Sequence, residues 1–169
     1  PCQIISDLFT IKDHFNHLEN LSISWFGDMN NVLFSYFELL ALFPEIKLNV
    51  FTHKDIYVNK KIKFPISQNI NFYFDLNSKI IRQSDCIMTD VFTSMNDVDT
   101  TKEKILKPFQ VNKKIMDLTK STCIFMHCLP ANKGAEVTED VLNSDKSIVM
   151  KQAKNRLISQ KGIMKWLNI

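Results

Sequence analysis

Glycine is scarce in this sequence, with three among 169 residues, at Gly27, Gly134 and Gly162. No G-x-G-x-x-G can be assembled from them, so the fingerprint of a dinucleotide-binding turn fails and a nicotinamide cofactor is disfavoured. The four cysteines, Cys2, Cys86, Cys123 and Cys128, form no C-x-x-C pair and no paired His-Cys ligand set. Neither a zinc site nor a disulfide framework is supported, and reduced cytosolic thiols are expected. No apolar run approaches the roughly 18 residues a membrane span needs, and nothing resembles a signal peptide. A soluble protein with no membrane partner is therefore expected. Basic tracts are missing too: the net charge is +3, but the lysines are scattered among acids, so nucleic acid is not suggested as a partner. No internal repeat, low-complexity tract or linker interrupts the chain.

What is present is ordinary globular composition, 45% hydrophobic and 23% charged, in a length that suits one domain. Ile4, Leu8, Ile11, Phe15 and Leu18 recur at steps of four and three, the stripe of an amphipathic helix. Because the chain opens inside that pattern, at Pro1, it is expected to be a segment of something longer. LSISWFGD then reads as a strand ending in Gly27-Asp28, and NVLFSYFELLALF from Asn31 reads as the helix leaving it. IKLNVFTH and NINFYFD predict two more strands, LNSKIIRQS a short helix and DCIMTDVF a strand apolar on both faces. A helix near 112–118 leads into the two-faced run TCIFMHCLP. SIVMKQ predicts a further strand, and a last helix follows from about Asn155 to Leu167. The least patterned stretch, Lys54 to Gln68, is expected to be a surface excursion.

Alternating strands and helices predict an α/β fold, a doubly wound, Rossmann-like parallel sheet with helices on both faces, and such sheets bind ligands at the C-terminal ends of their strands. Polar residues fall at those ends. Asp28, Asn30 and Asn31 follow the first strand, where they either cap the next helix or meet a ligand. Asp90 and Ser94 follow another strand; a carboxylate there either holds a ligand ammonium or is a solvated loop acid. His127 and Cys128 follow a fourth, just before Pro130, and the thiol taken alone reads more readily as a small buried hydrophobe than as chemistry. Arg156, placed by this reading at the start of the last helix, suits an anion such as phosphate.

PCQ at the start, GDMNN, DVFTSM, MHCLPANKGAEVT and Asn155-Arg156 occur in the order and approximate spacing of ornithine carbamoyltransferases. The chain resembles the second, ornithine-binding half of that family over essentially its whole length. HCLP and D-x-x-x-S-M are the most specific parts, because aspartate carbamoyltransferases carry proline where Cys128 stands and the putrescine enzymes lack Ser-Met. The resemblance implies that 1–169 is an ornithine-binding domain, with 1–19 an interdomain helix and 155–169 a helix returning toward a carbamoyl phosphate domain. It implies a homotrimer or multiple of trimers, in the cytoplasm or, in a eukaryote, the mitochondrial matrix. Asn31, Asp90, Ser94 and the Met95 backbone would hold the α-groups of ornithine, and Cys128 would face its δ-amine. Gln3, Cys128, Leu129 through its carbonyl, and Arg156 would touch carbamoyl phosphate. No metal or organic cofactor is implied. Cys128 would act either as a base or as the group that aims the amine.

Departures from the family pattern are Met29 for a glycine, Asn96 for another, Asn132-Lys133 for His-Arg, and Lys151 and Lys154 for acids. Two rival functions stand beside the leading one. A sister enzyme acting on an acylated ornithine would need no pocket for a free α-ammonium, and Asp90 with Ser94-Met95 argues against it. A catalytically silent amino-acid-binding or assembly subunit is the other.

Overall fold

The structure, a computed structural model, describes residues 1–60, 62, 66–93 and 100–168. Helix α1 (Cys2–Phe15) opens the chain and ends at Asn16, whose φ of 63° closes the last turn in the left-handed conformation that Asn tolerates. Strand β1 (Ser22–Phe26), helix α2 (Asn31–Leu40), β2 (Lys47–Phe51), the short α3 (Lys54–Asn59) and β3 (Ile70–Tyr73) build one half of the sheet. Short α4 (Ser78–Ile81), β4 (Cys86–Thr89), α5 (Thr100–Leu106), a 3-10 turn (Lys107–Phe109), α6 (Lys113–Leu118), β5 (Ile124–His127), α7 (Glu139–Leu142) and α8 (Val149–Trp166) complete it.

The five strands pair in the order β3-β2-β1-β4-β5, all parallel. Successive side chains of a strand point to opposite faces, and the apolar ones supply two cores. Ile23, Trp25, Leu48, Val50, Met88 and Met126 join α1 and α2 on one face. Phe26, Phe51, Ile87 and Phe125 join residues from α4 to α7 on the other. Both faces are covered, which is why these strands read as apolar on both sides. The chain moves from β1 to β2 in one direction and to β4 in the other, so the gap beyond β1 and β4 is a topological switch point, where open α/β sheets bind their ligands.

Two expectations are corrected. Ser147–Gln152 does not form a strand: Ser147 makes a single bridge to Phe125, and α8 begins at Val149. The buried face of α8 carries Val149, Gln152 and Asn155, so a polar seam hides the helical stripe that an apolar one would have shown. Arg156 consequently lies two turns inside α8 and not at its N-terminus. The stretch from Lys54 contains α3, which has no buried residue and is capped by the His53 ring accepting from the Asp55 amide at 3.2 Å.

Candidate functional site

Register brings three strand ends level, since Phe26 lies opposite Thr89 and Thr89 opposite His127. The residues that follow, 27–30, Asp90 and Cys128-Leu129, thus leave the sheet along one edge. Gly27 makes the first turn possible. Its φ is +117°, and a Cβ there would stand 2.6 Å from the Phe92 ring, so only glycine fits. Asp28 is buried, pairing with Lys102 of α5 at 2.8 Å. Met29, where the family pattern has glycine, needs no positive φ and fills the core beside Trp25.

Asn30 does two jobs. Its Oδ1 caps α2 by accepting from the amides of Val32 and Leu33 at 3.0 and 3.1 Å, and its Nδ2 donates to Asp90 Oδ2 at 2.7 Å, across the switch point. Asp90 also accepts from the Val91 amide at 2.9 Å. Partial burial pushes its carboxyl above the ordinary value, against the pull of those donors and of His127. A carboxylate held short of full stabilisation gains from a cationic ligand. Asn31 occupies the first turn of α2 with an exposed side chain, so among the two asparagines it is Asn30 that holds Asp90. Ser94, Met95 and Asn96 lie outside the described residues.

At the end of β5 the His127 ring is fully buried. Its Nδ1 accepts from the Leu129 amide at 2.9 Å, which leaves the proton on Nε2, 3.1 Å from Glu136 Oε1. The Asn132 amide donates to the same oxygen, at 2.5 Å. Leu129, which follows in the loop, has a φ of 45° and precedes a cis Pro130. Cys128 is half-buried, and burial, followed by the charges of Asp7 and Asp90, pushes its thiol well above the usual range, Arg156 opposing. The group at rest is a neutral thiol.

Helices α1 and α8 close the edge. Arg156 Nη1 donates to Gln3 Oε1 at 2.8 Å, and Gln3 Nε2 donates to Asp7 at 2.8 Å. Gln152 Nε2 also donates to Asp7, at 2.8 Å, while its Oε1 accepts from the His127 amide at 2.9 Å. Asp7, Gln152 and Glu136 escaped the sequence reading. The one available signal was Asp7's place in the apolar stripe between Ile4 and Leu8. Elsewhere, Lys151 and Lys133 substitute local ion pairs for the family's side chains, with Asp13 at 2.8 Å and Glu139 at 2.5 Å.

A doubly wound sheet with a thiol, a carboxylate and an arginine-glutamine pair at its switch point defines a class, and the comparisons supply the family. Residues 19–167 match the Asp/Orn binding domain of the aspartate/ornithine carbamoyltransferases, and the chain belongs to that family. It is 40% identical over 170 residues to an ornithine carbamoyltransferase of Nitrobacter winogradskyi, across 98% of this chain and 54% of that protein. It is similar to the solved ornithine carbamoyltransferase of Pyrococcus furiosus, with 34% identity and a TM-score of 0.81 over 97% of this chain and 55% of that one. The Burkholderia thailandensis enzyme superposes with a TM-score of 0.86 at 28% identity, over 99% of this chain and 54% of that one. The chain spans about half the length of the curated relatives it matches. Among the described residues no helix is long and apolar enough to cross a membrane.

Proposed function

We propose that this chain is the ornithine-binding half of an ornithine carbamoyltransferase, which moves the carbamoyl group of carbamoyl phosphate to the δ-amine of L-ornithine and yields L-citrulline and phosphate. The observation that carries this reading is the Asn30–Asp90 bond across the switch point, with Cys128 on the neighbouring strand end. Asp90 takes the α-ammonium, and Asn31, Ser94 and Met95 complete the amino-acid pocket. A free α-ammonium is what distinguishes ornithine from an acylated relative.

The δ-amine, with a pKa near 10.4 in water, must lose its proton before it attacks, which costs about 4 to 5 kcal/mol at pH 7 unless the site depresses that pKa. Desolvation in a closed cleft and the Arg156 guanidinium act in that direction. Attack on the carbamoyl carbon forms a tetrahedral adduct, and phosphate leaves with the bonding pair. Donors beside the carbamoyl oxygen stabilise the developing charge. A neutral Cys128 thiol aims the amine and relays its proton, and a resting thiolate base is disfavoured by the burial described above. Gln3, Arg156 and the Leu129 carbonyl meet carbamoyl phosphate.

The rest of the carbamoyl phosphate site belongs, in this reading, to a separate domain that accounts for the other half of the relatives' length. Its seat is the outer face of α1 and α8, where Ile5, Phe9, Leu157, Ile158, Met164 and Trp166 are exposed, Trp166 by 81%. The active protein is a trimer or a multiple of trimers, working in the cytoplasm or the mitochondrial matrix. The test is citrulline formation by the full-length protein. Activity there, with none from residues 1–169 alone, is expected, because positioning both reactants supplies much of the rate. A folded full-length protein that forms no citrulline would favour the silent-subunit alternative.

A further inference from the structure

Asp7 is a fully buried carboxylate beside the site and takes no part in the chemistry above. It sits on α1 with no exposed surface and collects three donors from three helices: Gln3 of α1 and Gln152 of α8 on Oδ1, each at 2.8 Å, and the Tyr36 hydroxyl of α2 on Oδ2 at 3.1 Å. Each donor leads onward. Gln3 accepts from Arg156. Gln152 accepts from the amide of His127, the residue before Cys128. Tyr36, 2.9 Å from the Met88 sulfur, packs under β4, which ends at Thr89 and leads directly into Asp90. One carboxylate is therefore the common node of the arginine-glutamine pair and of the strand ends that carry the thiol and the second carboxylate.

We propose that Asp7 is the positioning residue that joins the two substrate half-sites, holding Gln3 and Arg156 in the place where they meet carbamoyl phosphate while Gln152 fixes the end of β5. The inference rests on the assignment of Gln3 and Arg156 to carbamoyl phosphate made above. A neutral side chain at position 7 would accept only weakly from Gln3, whose amide could then swing away from Arg156 and unseat the guanidinium.

The charge on Asp7 makes this testable by pH. Burial raises its carboxyl to about 6, with Gln152, Gln3, Tyr36 and Arg156 pulling the other way. The other groups facing it are Tyr36 from α2, Cys86 from β4, Cys128 beyond β5 and Arg156 from α8. The first three are pushed upward, and a guanidinium does not titrate, so of these five groups Asp7 is the one that changes state at about pH 6; the Asp90 carboxyl, also raised, is common to both proteins compared below. His14 lies two turns further along α1, against Lys151 and Asp13, and its value is lowered.

The experiment measures dissociation constants for carbamoyl phosphate and for norvaline, an ornithine mimic without the reacting amine, in full-length wild type, Asp7→Asn and Asp7→Leu. At pH 8, Asp7→Leu is expected to weaken carbamoyl phosphate by tenfold or more, about the loss of one charge-assisted bond, and norvaline by less than about threefold. The affinity ratio of wild type to Asp7→Asn for carbamoyl phosphate should fall from roughly fivefold at pH 8 toward unity at pH 5.5, where the wild-type carboxyl is mostly neutral as well. The ligand's own ionisation cancels in that ratio. A ratio independent of pH, or equal weakening of both ligands in either variant, overturns the proposal. Wild type that binds neither ligand refutes the functional reading and this inference together. Normal wild-type binding with an unaltered Asp7→Asn refutes the inference alone.

Discussion

At the N-terminal ends of the strands lies a groove of about 750 Å³ lined by Ser22, Asn49, Asn69, Asn71, Asp85 and Lys120 among others. At the C-terminal ends Asp90, Cys128, Asp7 and the Gln3–Arg156 pair come together. In the groove, polar groups are committed to the fold. Asp85 accepts from the Ser22 amide at 2.9 Å and pairs with Lys120 at 2.6 Å, Asn49 bonds Ser22 at 3.0 Å, and Asn69 donates to the carbonyls of Leu40, Phe43 and Ile46. At the other end, burial raises two carboxyls and a thiol, and the charges of the two carboxylates push the thiol further in the same direction. Volume marks where the sheet leaves space; electrostatic tension marks where a ligand would relieve something.

Four variants sharpen or break this contrast. Gly27→Ala should have the largest effect, a loss of about 2 to 4 kcal/mol from a forced positive φ and a ring collision, read as a lower denaturant midpoint. The switch-point turn would be disturbed with it. Asp7→Asn should act in the opposite direction. An acid whose folded pKa lies above its unfolded one loses stability as pH rises from about 3.8 to about 6 and gains none back above. The variant escapes that penalty, so its stability relative to wild type should rise by about 2 to 3 kcal/mol between pH 4 and 7. A difference that stays flat across that window would show that Asp7 is not destabilised by its burial.

Cys128→Ala should lower turnover by roughly ten- to a hundredfold while shifting the melting temperature little, since the thiol is half-buried and leaves no large cavity. Unchanged kinetics with a much lower melting temperature would assign the thiol to packing. Asp85→Asn, at the groove, should have the smallest effect: about 1 kcal/mol of stability, from weakening one ion pair with a 43%-exposed lysine and one amide bond, and no change in either substrate's affinity.

The five strands and the doubly wound parallel class were readable in the residues because parallel strands buried on both faces leave apolar runs that β-branched and aromatic residues punctuate clearly. Ile23, Trp25, Ile87 and Phe125 all belong to such runs. Helix α8 was legible only in part. Its contacts with the site and with α1 run through Gln152 and through Asn155, which donates to Thr10 Oγ1 at 3.1 Å, and a polar seam gives no apolar period. Asp90 and Cys128 could be found because strand ends are predictable from a single sequence. Asp7 could not, because what makes it consequential arrives from Tyr36, 29 residues away, and Gln152, 145 away. Asn30 and Asn31 are neighbours in sequence but diverge in space, and only the cap geometry separates the one that bonds Asp90 from the one that faces solvent.

The most direct measurement sets the two ends of the sheet against each other in one titration. Norvaline and carbamoyl phosphate are titrated into full-length wild type, Asp90→Asn and Asp85→Asn. Loss of a charge-assisted bond of about 1.5 to 3 kcal/mol should weaken norvaline by roughly ten- to a hundredfold in Asp90→Asn, with carbamoyl phosphate almost unchanged, and Asp85→Asn should match wild type for both. Equal norvaline affinity in Asp90→Asn and wild type, or a loss in Asp85→Asn instead, would contradict the placement of the amino acid at the C-terminal ends of the strands.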